Sequence, residues 1–137
     1  MKQMIAHIAL LVKDYDEALD FYIGKLGFEL IEDTKLTETK RWVLVRPPGT
    51  VGTALLLARA ANDVQLTAIG NQSGGRVFLF LYTDHIEQVY KNLLDHSITI
   101  IRELNEEPHG KVAVFADLYG NLWDLIQPNQ WPDCSVV

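Results

Sequence analysis

A fixed offset constrains this chain more than any single motif. An apolar run, an acid pair and a helical stripe near the N-terminus return seventy residues later in the same order. Asp14 with Glu17 matches Asp84 with Glu87, and Phe28, Leu30 and Ile31 match Ile98, Ile100 and Ile101. Independent accidents would not hold one offset across a whole module, so the chain reads as two copies of one supersecondary unit.

Each copy reads as strand, helix, then three strands. The run 7–12, HIALLV, is near-continuously apolar and is expected as a strand buried on both faces. Asp14 can accept from free amides of a first helical turn, with Glu17 three residues on as in a capping box, and both acids suit the positive helix end. Tyr15, Leu19, Tyr22 and Leu26 form one helical stripe, which Gly27 stops. Phe28, Leu30 and Ile31 begin a second strand, 42–45 a third and 54–58 a fourth. Pro47, Pro48 and Gly49 end the third, because proline gives no amide to a ladder. In the second copy the run 77–82, VFLFLY, is again expected as a buried strand. Asp84 and Glu87 repeat the cap, Ile86, Val89, Tyr90 and Leu93 repeat the stripe, and strands follow near 98–101, 112–115 and 121–126. Leu118, Tyr119 and Gly120 stand where Pro47, Pro48 and Gly49 stood, one residue later.

Residues 59–75 break the pattern with turn formers, and 64–69 reads as a short helical turn. The segment GNQSGG lacks both the Lys-Ser/Thr ending of a P-loop and the Rossmann glycine spacing, so it reads as a flexible connection. The expected fold is α+β: one domain over 1–137, made of a βαβββ module at about 4–58, a linker at 59–75, a second βαβββ module at 76–128 and a tail at 129–137.

A length of 137 residues suits one compact domain, and 48% hydrophobic residues can fill its core. Twelve basic against eighteen acidic residues give a net charge of -6 with no basic cluster, which argues against a nucleic-acid partner. The single cysteine, Cys134, excludes an internal disulfide, suits a reducing cytosol and reads as incidental. The run 8–12 is too short for a signal peptide, and no stretch is long and apolar enough to span a bilayer. A cytoplasmic protein without a membrane partner is expected.

Two such modules resemble the vicinal oxygen chelate superfamily, which includes glyoxalase I, fosfomycin- and bleomycin-resistance proteins and extradiol dioxygenases. The stretches HIALLVKDYDEALDFYIGKLGFEL and FADLYGNLWDLIQP carry the resemblance. The second is similar to the family's D-x-x-G-x-x-x-E-L, with Asp124 in place of glutamate. The resemblance implies a glyoxalase-like fold whose modules form a cupped sheet around a small-molecule substrate or ligand. It also implies a homodimer and one divalent metal (Ni, Zn, Mn or Fe). The family takes one metal ligand from the first and one from the last strand of each module. Carried over by position, His7 and Asp124 are metal ligands here, whereas Val77 and Leu56 occupy the other two positions and cannot bind a metal. Catalytic zinc usually takes three protein ligands, so two make a weak site. His109, in the turn before the seventh strand, is the candidate for a third.

His7 and Asp124 also carry a reading without metal. Strand alternation places His7, Ala9 and Leu11 on one face, and Leu122, Asp124 and Ile126 on one face. A carboxylate between two apolar side chains is costly if buried alone. A His7–Asp124 hydrogen bond would relieve that cost and hold the imidazole as a catalytic base; the alternative is a satisfied polar pair left from a lost metal site. His85 and His96 read as surface residues, the latter suiting the negative helix end. Arg41, Arg46 and Arg76 lie at strand borders, where they could pair with a substrate carboxylate or phosphate, and they read as surface cations. Trp42 and Trp123 read as core, with the resemblance implying that aromatics can also line the pocket of a binder, and Trp123 is expected to face away from Asp124. The leading expectation is a glyoxalase-like lyase or related enzyme with an incomplete metal site, with His7 and Asp124 catalytic. A dioxygenase is weaker, because its iron needs a His, His, Glu set. The alternative is a metal-free binding or sequestering protein of the resistance type, in which Leu56 and Val77 turn the metal position into an apolar pocket. Fold alone does not choose between them.

Overall fold

The computed structural model describes residues 1–132, so the reading of Cys134 lies outside the described residues. The elements are β1 (His7–Val12), α1 (Tyr15–Leu19) continued by a π-helix (Asp20–Lys25), β2 (Glu29–Lys35), β3 (Arg41–Arg46) and β4 (Ala54–Arg59). Then come α2 (Asp63–Ala68), β5 (Val77–Tyr82), α3 (Ile86–Asp95), β6 (Ile100–Glu107), β7 (Gly110–Ala116) and β8 (Leu122–Pro128). They build an α+β fold of two four-stranded mixed sheets, ordered β1-β4-β3-β2 and β5-β8-β7-β6. The chain divides into two compact units between Gln72 and Ser73. In each unit the first and last strands pair in parallel and the other neighbours antiparallel. A parallel pair needs a crossover, and the helix after the first strand begins it.

In the first unit Leu10, Val12, Val43, Val45, Leu55 and Leu57 turn one face of the sheet inward, where Tyr15, Ala18, Phe21, Tyr22 and Leu26 are also buried. β1 is therefore not buried on both faces as expected: His7 and Ala9, on its other face, are exposed. The helix also departs from expectation. Leu26 N–H donates to the Phe21 carbonyl at 2.8 Å, five residues back, which is π-helical spacing. The wider turn lets both Phe21 and Tyr22 point inward, with ring centroids 5.1 Å apart, while Leu19 is only half-buried. Asp14 caps α1 by accepting from Glu17 N–H at 2.9 Å. β1 ends its sheet, and the Gln72 side chain takes the place of a neighbouring strand there. Its amide donates to the Ala9 carbonyl at 3.1 Å and accepts from Leu11 N–H at 2.7 Å.

In the second unit Ala113, Phe115, Trp123 and Leu125 are buried on one side of the sheet, as are Ile86 and Leu93 of α3. Phe115 and Trp123 stack with centroids 5.7 Å apart. Trp123 thus points away from Asp124, as alternation requires. β5 is not buried on both faces: Phe80 is 62% and Tyr82 45% exposed. The repeated cap pair does not form either. His85 is the N-cap residue without a side-chain cap bond, Gln127 Oε1 accepts from Ile86 N–H at 2.9 Å, and Asp84 contacts His85 Nδ1 at 2.7 Å instead. Gly110 has φ 153°, and a Cβ there would stand 2.3 Å from the Gln127 carbonyl, so the close approach of β7 to β8 needs glycine.

Candidate binding site

Register makes the two modules equivalent at the positions of interest. His7 pairs with Ala54, and Val77 with Leu122. Leu56 aligns with Leu44 in β3, and Asp124 with Val114 in β7. One difference intervenes: a bulge between Val77 and Leu79 puts Phe80 beside Asp124, where Ala9 stands beside Leu56.

His7 lies in the first unit and Asp124 in the second. His7 is exposed, and its ring meets Trp42 edge-on, with centroids 6.2 Å apart. Asp124 belongs to a row across its sheet of Phe80, Asp124, Val114 and Arg102. Burial pushes its carboxyl above the ordinary value, and the positive charge of Arg102 opposes that shift. Arg102 itself donates to Glu107 at 2.9 Å. The Asp124 carboxylate has no hydrogen-bond partner among the described residues.

The donor set does not fit a three-ligand metal centre. Leu56 and Val77 present only carbon at the two remaining positions. His109 cannot join Asp124: it precedes β7, five residues before Val114, the cross-strand neighbour of Asp124, about 16 Å at a strand's rise per residue. No three His, Cys, Asp or Glu side chains are grouped to hold a metal among the described residues.

The described geometry favours another place. A cavity of about 590 Å³ lies in the first unit where β3 starts, β4 ends and α2 begins. Trp42, Leu56 and Ala58 give it an apolar wall, and Tyr15, Lys40, Arg41, Arg59 and Gln65 give it polar groups. Trp42 is half-exposed and lines this cavity, on the face of β3 opposite Val43 and Val45.

Arg41 is no ordinary surface cation. Its Nε and Nη2 donate to the two oxygens of Asp33 at 3.1 and 2.6 Å, and Nη1 donates to Asp16 at 2.9 Å. Its guanidinium lies 5.1 Å from the centroid of the Tyr15 ring. The Arg41 hydrogen bond holds the Asp33 carboxyl below the usual carboxylate range. Tyr15 Oη accepts from Arg41 N–H at 3.2 Å, which ties α1 to the start of β3. Arg46 Nε is buried without a hydrogen-bond partner among the described residues, and Arg76 is exposed. His85 and His96 are exposed, with His96 Nδ1 3.0 Å from the Asn92 carbonyl at the end of α3. A hydrogen bond to Asp84 raises the His85 pKa.

Asp117 enters the sequence reading only as the first residue of the D-x-x-G motif, without a role; it is buried at the β7–β8 turn. Its Oδ1 accepts from Tyr119 N–H and Asn121 N–H, each at 3.0 Å. Its Oδ2 accepts from Asn121 Nδ2 at 2.9 Å and from Trp123 Nε1 at 3.4 Å. The available signal was an aspartate opening a turn that Gly120 closes at φ 98°. Asp117 therefore organises the loop that feeds β8 and Asp124.

The architecture agrees with the relatives of the chain. The model of the Glyoxalase/Bleomycin resistance protein/Dioxygenase superfamily matches residues 4–125. A protein of Shewanella frigidimarina (strain NCIMB 400) is 58% identical over 130 residues, 94% of this chain and 96% of that protein. Among solved structures, UcmS2 is 27% identical with a TM-score of 0.79, covering 92% of this chain and 98% of its own. TnmS3, an antibiotic binding protein from Streptomyces sp. CB03234, is 27% identical with a TM-score of 0.73, covering 94% of this chain and 98% of its own. The described residues contain no helix long and apolar enough to cross a membrane. With nearly all of both modules inside the matched range, the chain belongs to the Glyoxalase/Bleomycin resistance protein/Dioxygenase superfamily.

Proposed function

We propose that the protein binds a small organic molecule without a metal, in the cavity of its first unit. One observation carries the reading: a space of about 590 Å³, within the range of small-molecule sites, is walled by Trp42 and by Leu56, which holds a position where the family places a metal ligand. The likeness to an antibiotic binding protein supports it. In this reading neither His7 nor Asp124 holds nickel, zinc, manganese or iron, and neither lines the cavity.

The glyoxalase-like lyase keeps one supporting observation. The Asp124 carboxyl is shifted upward and unpartnered, as suits a group that takes up a proton. It lacks donors at Leu56 and Val77. Calorimetric titration of chelator-stripped protein with the four metals decides between the readings. We expect no stoichiometric binding, and binding of aromatic ligands that chelator leaves intact. Tight metal binding lost in both His7→Ala and Asp124→Ala would overturn the metal-free reading. A homodimer and a cytoplasmic setting belong to the same proposal. Sedimentation as a monomer at micromolar concentration would remove the first, and recovery outside the cytoplasmic fraction the second.

A further inference from the structure

The charges around the cavity point to a ligand class. Its lining holds three of the twelve Lys and Arg residues and none of the eighteen Asp and Glu residues. Acids outnumber bases in the chain, so this local balance runs against the protein's own composition. Arg41 is already committed to Asp33 and Asp16. Lys40 and Arg59 have no ion pair among the described residues.

An adjoining cavity of about 430 Å³ shares Tyr15, Thr39, Arg41 and Arg59 with the first and does contain acids. Two of those acids face other cations, Asp33 binding Arg41 and Glu38 meeting Lys35 at 3.4 Å, while Asp14 caps α1 through a neutral amide and keeps its charge. Lys40 lines only the acid-free cavity of the two, and neither it nor Arg59 is ion-paired among the described residues, so both can turn to a ligand's anion.

We propose that the ligand is an aromatic molecule bearing an anionic group, its ring against Trp42 and Leu56 and its anion between Lys40 and Arg59. This rests on the binding reading above. An indole face offers a ring a favourable offset-stacked or edge-on contact. Exposed cations alone are weak attractors, but a ligand that covers them with its own ring displaces water and strengthens the charge-assisted hydrogen bonds they donate. Arg59 can present a fork to a carboxylate, while Lys40 acts as a point charge.

The test is calorimetric titration of the full chain with 2-naphthoate, 2-anthroate and their methyl esters, whose rings match and whose charges differ. We expect the acids to bind at least about tenfold more tightly than the esters, a gap that narrows as salt is raised. Lys40→Gln with Arg59→Gln should bring the acids to the affinity of the esters, with an unchanged circular dichroism spectrum as the folding control. Equal binding of acids and esters, lost in Trp42→Ala, would overturn the charge inference and leave the cavity standing. Binding of neither class, or binding indifferent to Trp42→Ala, would overturn the cavity reading as well.

Discussion

The two modules share one strand order and stabilise it by different means. α1 is capped by Asp14, its own N-cap residue, whereas the first amide of α3 is taken by Gln127 from β8. The β3–β4 connection begins with Pro47 and Pro48, which restrict the backbone directly. The β7–β8 connection has Asp117 at the place of Pro47 and is held by a buried carboxylate instead. β1 runs without a bulge, and β5 carries one. The pattern of apolar residues thus dictates which strands pair, while each loop and helix end is solved locally by whatever donor or acceptor lies within reach.

The largest expected effect tests the loops. Asp117→Ala would leave the amides of Tyr119 and Asn121 and the side chains of Asn121 and Trp123 short of an acceptor in a buried turn. It should cost about 2–4 kcal/mol in urea unfolding, against about 1 kcal/mol or less for Pro47→Ala. Similar costs would mean that the two loops are stabilised alike after all. A smaller effect separates the caps. Asp14→Ala should cost about 1 kcal/mol and Asp84→Ala nothing measurable, with Gln127→Ala taking the cost in the second module. An Asp84→Ala loss matching that of Asp14→Ala would restore the repeated cap.

The smallest effect concerns the open faces. Burial raises the Asp124 carboxyl pKa in the folded protein, so between the ordinary carboxylate value and the folded one the native state binds more proton than the unfolded chain. Stability from this group therefore falls as pH rises above the ordinary carboxylate value. Asp124→Asn should raise Tm by about 1–3 °C at pH 7, with the gain vanishing below that value. A gain that does not change with pH would assign the effect to packing rather than charge.

Strand existence and facing were legible because period-2 alternation and the repeat offset are written directly in residues such as Leu10, Val12, Trp123 and Leu125. What escaped depended on distant partners. The spacing of Tyr15, Leu19, Tyr22 and Leu26 fits an ordinary helix, and the π-turn arises because Phe21 and Tyr22 both pack inward. Asp84 looked like a cap because nothing local reveals that Gln127, forty-one residues beyond Ile86, reaches its amide first. Trp42 reads as core by composition, yet strand parity sends it outward. Lys40, Arg59 and Gln65 meet only where a strand start, a strand end and a helix come together, which no spacing rule encodes. His7 and Asp124 stand as candidates through family position and strand alternation.

The Gln72 amide has a consequence in time. It closes the outer edge of β1 from sixty-one residues downstream of Leu11. At about 5–20 residues per second of synthesis, that stretch takes about 3–12 s to appear. For those seconds a nascent chain carries Ala9 and Leu11 without their later guard, and β4 must also wait to be made. This edge is thus open when chains on one messenger are crowded together and closed once the linker emerges, so at β1 the hazard of strand exchange is greatest while the protein is still on the ribosome.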